Sequence, residues 1–214
     1  MSNFYRQFLT NCTKFIQTPC LLCGAFTPYS HGICNPCWNA FPPPPPVWQE
    51  KDHPSVWAGS WYWPPIQGLL HGLKYRQQLQ VLPLCSALLL RGLQKAPRPD
   101  ALLAMPLHPA RLRERGFNQA FLLAQALGHL QHLPVLAPES VIRHQYQPAL
   151  FHLGRRERWK QMADAFACHH TWQGEHIAVI DDIFTTGASS YHLARCLQAA
   201  GVGCVSIWVV ARGY

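Results

Sequence analysis

Apolar residues follow two patterns that alternate along the chain after residue 55. Short apolar or aromatic runs, which are typical of buried strands, occupy residues 56–63, 101–105, 176–180 and 203–210. Helical spacing of apolar residues, or a helix-starting proline pair, marks residues 64–75, 77–93, 118–130 and 189–200. Strands that alternate with helices form parallel sheets that are covered on both faces. The pattern therefore predicts an α/β fold.

The N-terminal part of the chain is organised differently. Residues 1–19 form a short amphipathic segment, with Phe4, Phe8 and Phe15 or Ile16 roughly on one face. Residues 42–46 are consecutive prolines, which cannot lie inside a helix or sheet and form a stiff, extended spacer. We place the domain boundary at this spacer, with a small module in residues 1–46 and the main domain in residues 47–214.

Composition and charge narrow the class of protein. Hydrophobic residues make up 49% of the 214 residues and charged residues only 13%, which disfavours a wholly disordered chain. The formal net charge is +8, and residues 61–214 carry fifteen basic against eight acidic side chains. A basic region of this kind suits phosphates or nucleic acid as partners, although a basic surface can also serve solubility alone.

Nine cysteines, an odd number, are unevenly placed along the chain. Four form two C-x-x-C pairs, and the other five are scattered through apolar contexts, which indicates a reducing compartment rather than a disulfide framework. Residues 1–19 show no signal-peptide pattern, and no apolar run approaches the length of a membrane span. We therefore expect a cytoplasmic protein.

The two cysteine pairs have the spacing C-x2-C-x10-C-x2-C. Two such pairs provide the ligands of a tetrahedral four-thiolate zinc site. A module this small needs a bound metal or another cross-link to fold. Because four thiolates leave no open position, the zinc would be structural. Redox-active C-x-x-C motifs are the alternative, and His31 could substitute as a ligand. The predicted metal ligands are Cys20, Cys23, Cys34 and Cys37.

Residues 177–189 are the most informative segment. A predicted buried strand is followed by Asp181 and Asp182, and a polar loop containing Gly187 then enters a helix. Ligands of open α/β sheets bind beyond the carboxyl ends of strands, and a helix N-terminus favours an anion. The carboxylates suit ribose hydroxyls and a nearby magnesium ion, while glycine admits a phosphate close to the main chain. The segment thus predicts a ribose 5-phosphate site, and the alternative is an ordinary strand-to-helix turn.

The same segment resembles the phosphoribosyl pyrophosphate motif of type I phosphoribosyltransferases. Only Phe184 departs from it, where that family prefers a smaller aliphatic residue. The resemblance implies a bound phosphoribosyl pyrophosphate with magnesium, whose ribose hydroxyls are held by Asp181 and Asp182, the candidate catalytic pair. It also implies that the 5′-phosphate is cradled by Thr185, Thr186, Gly187, Ala188 and Ser189.

Three further segments complete the predicted ligand site. In the same family, the loop that follows an earlier strand binds pyrophosphate through backbone amides, and here that loop contains Leu107 and His108. Arg115 opens the string RGFNQ, and Asn118 within this string is a candidate helix N-cap. Arg155 and Arg158 lie where the family carries a flexible active-site loop and would reach the pyrophosphate. For each of these residues the alternative is a structural turn or a solvated basic loop.

Taken together, segments along nearly the whole chain resemble the ComF competence proteins, a family that includes the gluconate-associated GntX proteins. The resemblance rests on five segments that occur in the following order: the four-cysteine knuckle, Leu73-Lys74-Tyr75, Met-Pro-Leu-His, Arg-Gly-Phe-Asn-Gln and Asp-Asp-Ile-Phe-Thr-Thr-Gly. It implies a phosphoribosyltransferase-like parallel sheet flanked by helices, with an N-terminal zinc module. It further implies a role in natural transformation, with incoming single-stranded DNA and competence helicase or recombination proteins as partners.

Three functions remain open from the residues. In the first, the domain is an active phosphoribosyltransferase, although no segment identifies an acceptor base. Alternatively, it binds phosphoribosyl pyrophosphate as a signal while basic loops and nearby aromatic residues stack single-stranded DNA. The third alternative is a zinc-knuckle adaptor with a degenerate ligand site. The aromatic residues in question are Trp57, Trp61, Tyr62, Trp63 and Tyr75.

Overall fold

The computed structural model describes residues 19–26, 29–145 and 165–213. The chain divides into two compact units, Met1–Phe41 and Pro42–Tyr214, so that the proline run begins the second unit. In the parts described, no helix combines the length and apolar character needed to cross a bilayer. The eight cysteines in those parts are all free thiols.

The first unit is a small hairpin followed by a short helix. Strands β1 (Tyr29–Ser30) and β2 (Ile33–Cys34) pair antiparallel, and helix α1 (Asn35–Asn39) follows at once with Pro36 in its first turn. Proline suits this position because the N–H it lacks would have had no partner there. Cys34 ends the hairpin and Cys37 lies within α1, so these two elements set the spacing of the second cysteine pair.

The second unit is built on a four-stranded parallel sheet. Its strands are β3 (Ser55–Trp61), β4 (Ala101–Ala104), β7 (His176–Phe184) and β8 (Cys204–Arg212), in the order β3-β8-β7-β4. Ile177 pairs with both Ala101 and Val205, which fixes the register across the centre of the sheet. Two further strands, β5 (Val141–Arg143) and β6 (Phe166–Cys168), form a separate antiparallel pair.

Helices cover the sheet on both faces. Helices α2 (Ile66–Arg76), α3 (Leu82–Gly92), α4 (Pro109–Arg115) and α5 (Gln119–Gln131) lie between β3 and β5 in the chain, and α6 (Ala188–Ala199) joins β7 to β8. Short 3-10 turns span Leu79–Val81 and Pro138–Ser140. The connection from β3 to β4 and the connection from β7 to β8 cross the sheet in opposite directions. Right-handed crossovers therefore place α3 and α6 on opposite faces.

The core lies between these layers and explains why the central strands form. Every residue from Ile177 to Ile180 is buried, as are Val205 to Ala211, because both faces of these strands are covered by helices. Helix α3 lies close against β3 at Gly59, where an added Cβ would overlap the carbonyl group of Leu88. The expected parallel sheet flanked by helices is confirmed.

Some boundaries differ from the expectation. Strand β7 continues through the two aspartates to Phe184 instead of ending at residue 180. The segment expected to be one helix over residues 77–93 begins with a 3-10 turn, and α3 starts only at Leu82, where Pro83 occupies the first turn. The segment at residues 111–115 is helical and not a turn. The amphipathic segment at residues 1–19 lies, except for Pro19, outside the described residues.

Candidate functional site

The aspartate pair lies in the last four residues of β7, at the carboxyl end of the sheet. Successive residues of a strand point to opposite sides, and here the alternation separates the two carboxylates. Asp182 is only 2% exposed, whereas Asp181 is half-buried. The backbone N–H of Asp182 donates to Asp181 Oδ1 at 2.8 Å. The pair therefore presents one buried and one partly accessible carboxylate.

Two helices supply partners for the buried carboxylate. Lys74 Nζ, from the last turn of α2, lies 2.6 Å from Asp182 Oδ2. Gln119 Nε2, at the start of α5, donates to Asp182 Oδ1 at 3.2 Å. A buried charge is tolerated when it has a partner, and here one oxygen is ion-paired with an ammonium while the other accepts a hydrogen bond.

The electrostatics of the two carboxylates differ accordingly. Burial alone would raise the pKa of Asp182, but the Lys74 ammonium and the surrounding hydrogen bonds outweigh it and hold this pKa below its usual value. Burial and the neighbouring Asp182 charge raise the pKa of Asp181 to about 8, against the partial opposition of Lys74. Burial would lower the pKa of Lys74, yet the two aspartates raise it. The arrangement is an ion pair beside a carboxyl group whose pKa is raised.

The loop that follows β7 has the geometry of an anion site. Gly187 is the N-cap of α6 and has φ +75°, a left-handed conformation that glycine adopts without strain. Thr185 is exposed, Thr186 and Ser189 are half-buried, and Ala188 is buried at the first position of α6. The structure thus brings the predicted loop residues together at the N-terminus of a helix of twelve residues, where backbone N–H groups have no intrahelical partner.

The predicted pyrophosphate loop adjoins the same edge of the sheet. Its first residue, Met105, is joined to β7 by a bond from its N–H to Ile180 O at 2.8 Å, and Asn118 Nδ2 donates to Met105 O at 3.1 Å. His108 accepts a bond from the N–H of Ala110 through Nδ1 at 3.1 Å and so caps α4. Leu107 is half-buried and lines a mainly apolar cavity of about 350 Å³. The structural role of His108 is therefore that of a helix cap.

Arg115 connects the RGFNQ string to the acid pair. Its Nη1 donates to Gln119 Oε1, the side chain that in turn donates to Asp182. The guanidinium carbon lies 5.7 Å from the ring centroid of Tyr75, which is 58% exposed. A cleft of about 190 Å³ opens here, lined by Lys74, Tyr75, Gln77, Arg111, Glu114 and Arg115.

Several predicted residues are not brought into this site. Arg155 and Arg158 lie outside the described residues. Among the aromatic residues, Trp63 is exposed like Tyr75, while Trp57, Trp61 and Tyr62 are half-buried. Lys74 and Gln119 lie inside segments quoted from the sequence, but no role was predicted for either. The pattern around Lys74 does not indicate its partner, because Asp182 lies more than a hundred residues away in sequence.

The four cysteines of the first unit form one cluster. Their sulfur atoms all lie within 4.8 Å of one another, and Cys23 Sγ is 3.7 Å from Cys34 Sγ. Zn–S bonds of about 2.3 Å in a tetrahedron place sulfur atoms about 3.8 Å apart, so the spacing fits zinc. Burial opposes ionisation of Cys20, but hydrogen bonds from backbone N–H groups, including that of Cys34, outweigh it and lower its pKa to about 6. A thiolate is the form that binds a metal.

Comparison with known proteins places the chain in a family. It is 31% identical over 209 residues to the DNA utilization protein YhgH of Escherichia coli K12, covering 95% of this chain and 88% of that protein. It is 27% identical to competence protein F of Haemophilus influenzae, covering 95% of this chain and 89% of that protein. The chain belongs to the ComF family.

Two more distant similarities accompany this ComF membership. Competence protein ComFC of Bacillus subtilis is 33% identical over 100 residues, which cover 47% of this chain and 39% of that protein. Among solved structures, adenine phosphoribosyltransferase from Leishmania tarentolae aligns with a TM-score of 0.40 and 13% identity, over 76% of this chain and 78% of that one. No protein-family model matches the chain.

Proposed function

We propose that this ComF-family protein binds phosphoribosyl pyrophosphate with magnesium at residues 181–189 and serves in DNA uptake together with single-stranded DNA. The observation that carries the proposal is the half-buried Asp181 carboxylate beside a helix N-terminus that begins at a left-handed glycine. A carboxylate and a cluster of N–H donors at one sheet edge match the two ends of a ribose 5-phosphate. The names of its relatives support the role in DNA uptake.

Each part of the ligand has candidate partners. Backbone N–H groups in the first turn of α6, with the hydroxyls of Thr185, Thr186 and Ser189, would hold the 5′-phosphate. The loop at Leu107 and His108, together with Arg115, would contact the pyrophosphate. A bound magnesium ion would offset the charge of the pyrophosphate. Arg155 and Arg158 remain predicted partners of the same group.

Calorimetric titration of phosphoribosyl pyrophosphate with magnesium tests the ligand, using the wild type and Asp181→Asn. This substitution keeps the Lys74–Asp182 pair, whereas removal of both aspartates would leave a buried ammonium without its partner. Asp181→Asn should weaken binding at least about tenfold, a loss of roughly 1.4 kcal/mol. Glu50→Ala, at an exposed carboxylate, is the control and should bind like the wild type. If the wild type shows no binding, the zinc-knuckle adaptor becomes the better description.

The single-stranded DNA component rests on the surface formed by α2 and α4. Exposed Tyr75 lies beside the Arg115 guanidinium, and Arg111, four residues before Arg115 on the same helix, lines the same cleft. Aromatic rings next to cations stack bases in a sequence-tolerant way, and phosphate contacts make such binding depend on salt.

A fluorescent oligothymidine titrated at several salt concentrations tests this surface. Arg111→Gln should reduce the salt slope of log affinity by about one phosphate contact, while the exposed Lys95→Gln, near the opposite end of the sheet, should not. Equal slopes for both variants and the wild type would remove this surface from the proposal. Pyrophosphate release in the presence of candidate bases, followed on the same protein, would favour the enzyme alternative.

We also propose that Cys20, Cys23, Cys34 and Cys37 bind one structural zinc ion. The mutual spacing of the four sulfur atoms supports four-thiolate coordination. With no open coordination position, zinc would stabilise the fold of the first unit and take no part in a reaction.

A further inference from the structure

The two aspartates of β7 have unequal surroundings. Asp182 receives Lys74 on Oδ2 and Gln119 on Oδ1, and it is 2% exposed. Asp181 is half-buried, and its Oδ1 accepts a local bond from the next backbone N–H. A ligand that approaches the edge of the sheet therefore meets Asp181, while Asp182 is enclosed by protein.

The contacts of Asp182 join three separate elements. Lys74 belongs to α2, Gln119 to α5 and Asp182 to β7, so a single carboxylate links two helices to the central strand. Arg115, the last residue of α4, donates to Gln119, so α4 is connected to the same group of contacts. A buried ion pair is strongly destabilised when only one partner is removed, because the remaining charge is uncompensated.

We propose that Lys74 is a positioning residue that, with Gln119, holds Asp182 as an internal clamp, so that Asp181 is the aspartate that accepts the ribose hydroxyls. This inference rests on the proposed ligand, and it assigns unequal roles to two residues that the motif treats alike. Lys74 acts through Asp182: it fixes the end of β7 from which Asp181 and the phosphate loop extend.

A double-mutant cycle in the full-length protein tests the clamp without any ligand. Lys74→Met and Asp182→Asn should each lower the melting temperature, and the combined variant should be more stable than the sum of the two losses predicts, since it removes both charges together. Lys74→Arg, which retains the positive charge, should remain closer to the wild type than Lys74→Met. Additive losses would show that the pair is not coupled and would overturn the clamp.

Binding of phosphoribosyl pyrophosphate with magnesium to the same variants tests the division of roles. Asp181→Asn should lose at least about tenfold in affinity, and the combined Lys74→Met and Asp182→Asn variant, which leaves no uncompensated charge, should lose less than Asp181→Asn. Lys74→Met alone, measured well below its melting temperature so that the protein is folded, should bind more weakly than the combined variant, and Lys74→Arg should restore binding. If the combined variant is folded but binds as poorly as Asp181→Asn, then Asp182 contacts the ligand and the inference is wrong.

The two proposals fail in different ways. If the wild type does not bind the ligand, the proposed function fails, and with it the role given to Asp181. The melting-temperature cycle still decides whether Lys74 and Asp182 form the clamp, because that cycle needs no ligand.

Discussion

The ring of Phe184 lies directly beneath Gly187, so that a Cβ added to the glycine would come within 3.0 Å of Phe184 Cζ. Phe184 is the one residue that departs from the resembling motif, and it is buried, packing against Trp48 at a centroid distance of 5.2 Å. Phe184 is the last residue of β7, and its carbonyl group accepts the N–H of Gly213 at 2.9 Å. The large ring therefore packs against the backbone of the phosphate loop at Gly187.

The first prediction concerns Gly187→Ala. A side chain at φ +75° costs roughly 1–2 kcal/mol, and contact with Phe184 adds to this cost. The loop should relax away from its present geometry, and affinity for phosphoribosyl pyrophosphate should fall at least about tenfold with a small loss of melting temperature. Calorimetry and thermal unfolding of the same preparation measure both. Gly174→Ala, at another positive φ but with open space around it, is the matched control and should lose stability without losing affinity.

The second prediction is a pH dependence of stability that arises from Asp181. The pKa of this carboxyl is raised from 3.8 to about 8, so between these values the folded state holds a proton that the unfolded chain has lost. Because stability falls with pH wherever the folded state binds more protons, this contribution is complete below pH 3.8 and is lost progressively as pH rises to about 8.

Asp181→Asn removes this titration. The variant should therefore gain stability relative to the wild type as pH rises from about 5 to about 9, as followed by urea unfolding midpoints at each pH. Asp182→Asn serves as the contrast, because the lowered pKa of Asp182 places its own contribution at acid pH. A constant difference between Asp181→Asn and the wild type across this range would mean that Asp181 ionises normally.

The local sequence pattern was sufficient for some parts of the site and insufficient for others. The strand and the helix on either side of residues 181–189 were predictable, because four apolar residues and a helix-start glycine are local signals. The end of β7 was predicted too early, since two aspartates look like a strand terminus. Asp182 remains inside the strand because Lys74, more than a hundred residues away in sequence, neutralises it. No local pattern carries such a long-range pairing.

Two helix N-caps, Asn118 and His108, differ in the same way in how well the sequence predicted them. Asn118 was predicted as an N-cap from its residue type and position, and its side chain does accept the N–H of Ala120 at 3.0 Å. His108 caps α4 in the same manner, but histidine is not a preferred cap, so its residue type indicated only a titratable side chain in a loop. With Pro109 in its first turn and Gly116 at its end, α4 has ordinary start and stop residues around an unusual cap.

The third prediction separates the two interpretations of His108. His108→Ala removes the acceptor for the N–H of Ala110 and should cost about 1 kcal/mol of stability. His108→Asn restores a good cap without an imidazole, so it should recover that stability and bind phosphoribosyl pyrophosphate like the wild type. Chemical unfolding and calorimetry of the three proteins decide the matter. A His108→Asn variant that is stable but binds poorly would show that the imidazole contacts the ligand.

The fourth prediction concerns the zinc module. Replacement of Cys34 and Cys37 by serine removes two of the four proposed sulfur ligands from a unit whose described elements are a hairpin of two two-residue strands and a five-residue helix. Such a unit cannot bury enough apolar surface alone, so the variant should lose zinc by elemental analysis and lose the NMR dispersion of residues up to Phe41. Binding of phosphoribosyl pyrophosphate should persist, because residues 42–214 form a compact unit with their own core.

Cys204→Ser, at an exposed cysteine outside the cluster, is the control for this experiment and should retain both zinc and ligand binding. A zinc content of one per chain in the wild type that falls to zero only in the Cys34 and Cys37 variant is the expected result. Zinc that persists after both replacements would argue against four-thiolate coordination. Loss of the entire fold would mean that the sheet domain depends on the module, since neither serine substitution touches the buried residues that support β7 and β8.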